Sequence, residues 1–184
     1  VLESTHDHTM ALLDIKLMGD PVLREEAEAV AAVDDALRAL ARDMFDTMYE
    51  ADGVGLAANQ VGILKRLIVV DPREQDVTPR ALVNPRVVST GDDTDRAEEG
   101  CLSIPGLREV VERKTTVVVD ALDLDGEPIR IEAYGLHARV LLHEIDHLDG
   151  VLFPDRVSPL KRKMLLKKWK KVRAEMESGA GAGS

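Results

Sequence analysis

His143-Glu144-Ile145-Asp146-His147 is the stretch on which the reading of this chain turns. An α-helix turns once in 3.6 residues, so side chains four apart stand on neighbouring sites of one face, and two imidazoles so placed can share one cation. Glu144 then sits beside that face. From there a carboxylate can accept a proton from a water held by the metal without itself binding the metal, the arrangement of metal-assisted hydrolysis. The flanking pattern supports the helix: Leu136, Val140, Leu141, Ile145 and Leu148 recur at helical spacing from Gly135 to Asp149, and Gly150 supplies a stop.

Working outward, a second helix begins at Asp34 or Asp35, either able to cap it, and carries Leu37, Leu40, Met44 and Met48 on one face before Gly53 ends it. Between the two helices and past the first lie short β-branched runs: Arg66 to Asp71, Ala81 to Asn84, Arg86 to Ser89, Val110 to Glu112, Thr115 to Asp123 and Ile129 to Ala133. Turn residues separate them, notably Asp125-Gly126, so hairpins are implied rather than βαβ units. The expected fold class is α+β: mostly antiparallel β-sheets around a central histidine-bearing helix, with an N-terminal and a C-terminal helix.

The 184 residues suit a single domain spanning 1–184, and no linker rich in Pro, Gly or Ser divides them. Within it, 10–177 would be the catalytic body. Residues 1–9, with His6 and His8, read as a tag remnant or disordered arm, and 178–184 as a flexible tail. No apolar run approaches a bilayer span, which excludes membrane insertion, and the first residues lack the pattern of a signal or transit peptide, so a cytoplasmic location is expected. The net charge of -10 argues against general binding to DNA. Charge is uneven, however: Lys161 to Arg173 holds eight basic residues and no acid. Leu165, Trp169, Val172 and Met176 form an apolar stripe along the same segment, so it should pack as a helix with solvated lysines, and docking to RNA or another anionic surface is the competing use.

Two more segments have compositions that packing alone does not explain. Gly53 to Gln60 (GVGLAANQ) is built of small residues that let a backbone approach a ligand, and it ends in an amide with both donor and acceptor; it lacks the Lys-Ser/Thr of a phosphate-binding loop. Glu99 to Ser103 (EGCLS) carries Cys101, the one cysteine of the chain, which excludes an internal disulfide and suits a reducing compartment. A catalytic zinc-type site takes three protein ligands and keeps one position open. His143 and His147 supply two. Asp149, Asp155, Glu175 and Glu177 are possible thirds, but they fall in loop or basic-helix contexts, and Cys101 is the better candidate.

In this order, GVGLAANQ, EGCLS and HEIDH resemble the three signature motifs of the peptide deformylases. The likeness runs from Gly19-Asp20-Pro21-Val22-Leu23-Arg24 to Leu152-Phe153 and Ser158-Pro159-Leu160, and it points to the bacterial type, a class found in organelles as well. The resemblance implies that Cys101, His143 and His147 bind one divalent metal, ferrous iron natively, with zinc, nickel or cobalt able to substitute. It implies that Glu144 takes the proton from the attacking water, and that Gln60 and the backbone N–H of Leu102 stabilise the oxyanion. The substrate would be the N-formylmethionyl end of a nascent peptide, and formate a product. Gly55 would contact the peptide backbone, as in the family. Val54, Leu136 and Val140 are expected to wall an apolar pocket for the methionine side chain, whose burial is worth about 1.5–3 kcal/mol. The basic C-terminal helix would be the element to meet the ribosome. Leu142 stands where the family usually has glutamine, and Asn59 is one of several residues used at its position. His137 lies six residues before His143, on another helix face, and is read as structural. The competing reading is a conventional HExxH zinc endopeptidase, which would not need Cys101.

Overall fold

Leu67 to Val70 (LIVV) is buried at every position, and the fold is organised around that fact. Successive side chains of a strand point to opposite faces, so a strand without polar alternation must be covered on both. Ile68 and Val70 join the cluster that packs on the histidine-bearing helix, and Leu67 and Val69 join the one that packs on the first helix. The sheet is therefore sandwiched between two helices.

The structure is a computed structural model, and it describes residues 10–181, with side chains to residue 179. Residues 1–9 and 182–184, where an arm and the end of a tail were expected, lie outside the described residues. Helix α1 spans Asp35–Glu50, and its cap is Asp34, whose carboxylate accepts the Leu37 N–H at 2.8 Å. Then follow β1 (Gly55–Ala57), β2 (Leu67–Val70), β3 (Arg80–Thr90), β4 (Thr94–Gly100), β5 (Arg108–Lys114), β6 (Thr116–Leu122), β7 (Pro128–Tyr134), α2 (Gly135–Leu148) and α3 (Pro159–Gly181). Five strands form one antiparallel sheet in the order β1-β2-β3-β6-β7, and β4 and β5 form a separate hairpin. The α+β class, the antiparallel sheets and the three helices agree with the sequence reading.

Three details differ from it. Ala81–Asn84 and Arg86–Ser89 are one strand, β3, bent at an irregularity where Asn84 has φ +50° and Pro85 needs no ladder partner. Strand β4 (TDRAEEG) was not expected, because its mostly charged residues show no apolar alternation. The C-terminal helix continues through Ser178 to Gly181, into the stretch expected to be tail, and Met176 is exposed rather than on the packed stripe. Leu165 and Trp169 do pack, in a third cluster with Met18, Leu23, Ile104 and Phe153, and the Trp169 indole donates to the Met18 carbonyl at 2.9 Å.

Helix α2 is buried on nearly all sides, with the sheet on one flank and the β4–β5 hairpin on another. Gly150 closes it with φ +73°. No helix is long and apolar enough to cross a membrane among the described residues.

Candidate active site

Two segments far apart in sequence meet at the C-terminal half of α2. His143 and His147, one turn apart on its buried face, bring their Nε2 atoms to 3.2 Å, with the rings nearly perpendicular. Cys101 follows directly on β4, and its Sγ lies 3.3 Å from His147 Nε2. All three donor atoms fall within 4.8 Å of one another.

The donor set fits a divalent cation. The Nδ1–H of His143 is directed at Glu99 Oε2, 2.9 Å away, which leaves its Nε2 lone pair facing the cluster in the neutral ring. Burial pushes both histidines down, yet hydrogen bonds to Cys101 and Glu99 carry His143 well above its ordinary range. His147 stays well below, through burial and the charge on His143. One thiolate and two imidazoles are a ligand set for zinc or ferrous iron, with a position left for water.

Glu144 is 4% exposed, and its Oε2 has no hydrogen-bond partner among the described residues. Burial pushes its carboxyl up to about 7, outweighing the pull of His143. A carboxyl tuned there can both take and return a proton near neutral pH. Its position is set by the glycine loop: a Cβ on Gly55 would lie 2.5 Å from Glu144 Oε1, and one on Gly53 would lie 2.8 Å from Leu102 Cδ1. Gly55, in β1, therefore has a packing duty that its sequence context did not reveal.

Gln60 is buried, and its orientation is determined. Its Oε1 accepts the Ala57 N–H at 2.9 Å, so its Nε2 must turn the other way, donating to Ser103 Oγ at 3.0 Å and lying 3.6 Å from Cys101 Sγ. Leu102 borders the same cavity of about 700 Å³, as do Val54, Gly55, Leu136, Val140, Cys101, His143 and Glu144. His147 is buried and does not line the cavity, and it joins the cluster through Cys101 and His143. The structure therefore brings Gln60, Leu102, Val54, Gly55, Leu136 and Val140 to one cavity with Cys101, His143 and Glu144, with Leu136 at the exposed rim, whereas Asp149, Asp155, Glu175 and Glu177 lie outside the cluster. His137 lies six residues before His143 on α2 and takes no part in the cluster.

The sequence reading missed the groups that hold the ligands. Glu99 is buried and accepts Arg113 Nε at 2.8 Å, Arg113 Nη2 at 3.0 Å and Arg139 Nη1 at 2.9 Å, besides facing His143. Burial alone would raise its carboxyl; the Arg113 and His143 hydrogen bonds hold it well below the carboxylate range. Asp146, between the two histidines, accepts Arg113 at 2.6 Å and Arg156 at 2.7 Å. Asn59 is buried and donates its amide to the His147 carbonyl, a role that ties the glycine loop to α2. Leu142, at the departure from the usual family pattern, packs on the apolar cluster of α2.

A family profile described as polypeptide deformylase matches residues 12–163. A peptide deformylase of Thermodesulfovibrio yellowstonii is 50% identical over 163 residues, covering 88% of this chain and 98% of that protein. One from Brucella suis is 48% identical over 171 residues, covering 92% and 98%. Among solved structures, a peptide deformylase from Legionella pneumophila superposes with a TM-score of 0.85 at 44% identity, covering 91% of this chain and 98% of that one. Another, from Synechococcus elongatus in complex with actinonin, gives 0.80 at 48% identity, covering 86% of each.

Proposed function

The chain belongs to the polypeptide deformylase family, and from that premise we propose how its residues divide the work. The activity that goes with the family is hydrolysis of the N-formyl group on newly made polypeptides, releasing formate, and the chain is a metalloenzyme of that kind. The observation that carries the assignment of residues is the convergence of Cys101 Sγ, His143 Nε2 and His147 Nε2 beside the buried carboxyl of Glu144.

Cys101, His143 and His147 hold the cation, ferrous iron in the native enzyme, with zinc, nickel or cobalt as substitutes. Bound there, it supplies a water of lowered pKa and polarises the formyl carbonyl. Glu144 accepts the proton of the attacking water and delivers it to the departing amine, a role its buried carboxyl beside His143 is placed to fill. Gln60 Nε2 and the Leu102 N–H donate to the formyl oxygen as negative charge develops on it; loss of one such donor costs about 2.7–4 kcal/mol in the transition state. Val54, Leu136 and Val140 receive the methionine side chain in the cavity that reaches Cys101 and Glu144. Gly55, on the free edge of the five-stranded sheet, offers its backbone to the extended peptide.

Nascent chains are the partners, and the cytoplasm is where such an enzyme would meet them. The exposed Lys163, Lys167, Lys168, Lys170 and Lys171 of α3 support docking to the ribosome, which salt-dependent co-sedimentation would test.

The direct test is formate release from formyl-Met-Ala-Ser by protein loaded with ferrous or nickel ion. Activity should vanish in Glu144→Ala and fall with loss of metal in Cys101→Ala. Cleavage of internal peptide bonds that survives Cys101→Ala would instead establish an endopeptidase.

A further inference from the structure

Arg139, His143 and His147 stand at i, i+4 and i+8 of α2, so a guanidinium continues the stripe that carries the two histidines. The Arg139 side chain is 8% exposed and borders the substrate cavity. Its Nη1 donates to Glu99 Oε1 at 2.9 Å and to the Val111 carbonyl at 2.8 Å, and its Nη2 to the Asp95 carbonyl at 3.0 Å. Asp95 and Glu99 belong to β4, and Val111 to β5.

One helical residue thereby grips both strands of the hairpin that delivers Cys101. We propose that Arg139 is a positioning residue for the metal site: it fixes the distance between the cysteine-bearing hairpin and the histidine-bearing helix. Glu99 is the link. It is bound to α2 at two points one turn apart, Arg139 and His143, and Cys101 lies two residues further on. Arg113, which also binds Glu99, comes from β5 and so joins the hairpin to itself; its hold on α2 runs through Asp146. Without Arg139, Glu99 would answer to the hairpin more than to the helix. Both the orientation of His143 and the approach of Cys101 would loosen. Lysine cannot replace this geometry, since one ammonium cannot reach three acceptors on two strands as a planar fork does.

The inference rests on the assignment of Cys101, His143 and His147 as metal ligands, and the experiment separates the two. Metal-free protein is titrated with zinc against a chromogenic chelator, and the cobalt form is examined for its thiolate-to-metal absorption. Arg139→Gln should raise the zinc Kd about 10- to 100-fold, the range for groups that orient metal ligands, and shift the cobalt spectrum. Arg139→Lys should fall between it and the parent, and it decides the matter if the glutamine variant does not fold. Arg156→Gln, which removes a partner of Asp146 but leaves Glu99 untouched, should lower Tm with the zinc Kd unchanged. A folded Arg139 variant with parental Kd and spectrum overturns the proposal, as does equal weakening in Arg156→Gln. Parental zinc affinity in Cys101→Ser would overturn the ligand assignment itself.

Discussion

Gly55→Ala is the most informative single substitution. The backbone of Gly55 is not in the left-handed region, so alanine is tolerated conformationally and the effect is steric. Its Cβ would stand 2.5 Å from Glu144 Oε1 and 2.8 Å from Glu144 Cδ and Cγ, where ordinary contact begins near 3.4 Å. The carboxyl must therefore retreat by about 0.9 Å, the gap between these two distances. What yields is the end of a side chain, so the stability cost should lie near the low end of overpacking, about 1 kcal/mol. The catalytic cost should be larger. A misplacement of roughly 1 Å at a reacting group lowers the rate about 100-fold, which corresponds to about 2.7 kcal/mol of activation free energy. The assay is formate release at saturating formyl-Met-Ala-Ser, beside metal content and Tm. Metal content should match the parent, because no ligand is displaced. A kcat within about threefold of the parent would refute the claim that Gly55 sets the place of Glu144.

Three further outcomes are expected. In metal-free protein the Glu144 carboxyl is raised from 4.5 to about 7, so its protonation favours the folded state; that contribution is complete below pH 4.5 and is lost as pH rises through 7. Glu144→Gln should therefore stabilise the metal-free protein at pH 8 by at most about 3 kcal/mol relative to pH 4.5, and parallel Tm profiles of the two proteins would contradict this. Glu99→Gln leaves the buried Arg113 and Arg139 short of countercharge and should destabilise the fold by about 3–5 kcal/mol in urea titration, with a smaller change counting against the network. Trp169→Ala removes a buried ring and its bond to Met18, and should cost about 3–5 kcal/mol while leaving the kcat of the folded fraction unchanged. A large loss of kcat there would place α3 in the reaction.

Much of the site was legible because its information is local. HEIDH places two rare side chains at the one spacing a helix converts into a common face, and apolar residues around it repeat at the same period. GVGLAANQ and EGCLS stand out because small residues and a lone cysteine in ordered context have few packing explanations. The β-branched run from Arg66 to Asp71 likewise read as a strand, and its coverage on both faces emerged only in the fold. Strand β4 was not legible: TDRAEEG has no periodicity of its own and is extended only because β5 pairs along its length and Arg113 and Arg139 neutralise its buried glutamate.

Sequence by itself determined the helix, the two imidazoles on its face and the identity of the chemistry. Tertiary structure decided which groups hold those ligands in place. Glu99 and His143 are 44 residues apart, and Arg139 and Val111 are 28 apart, so no local pattern relates them. Their pairing arises only when the hairpin packs on α2 and leaves a carboxylate and two guanidinium groups too buried to remain unpaired.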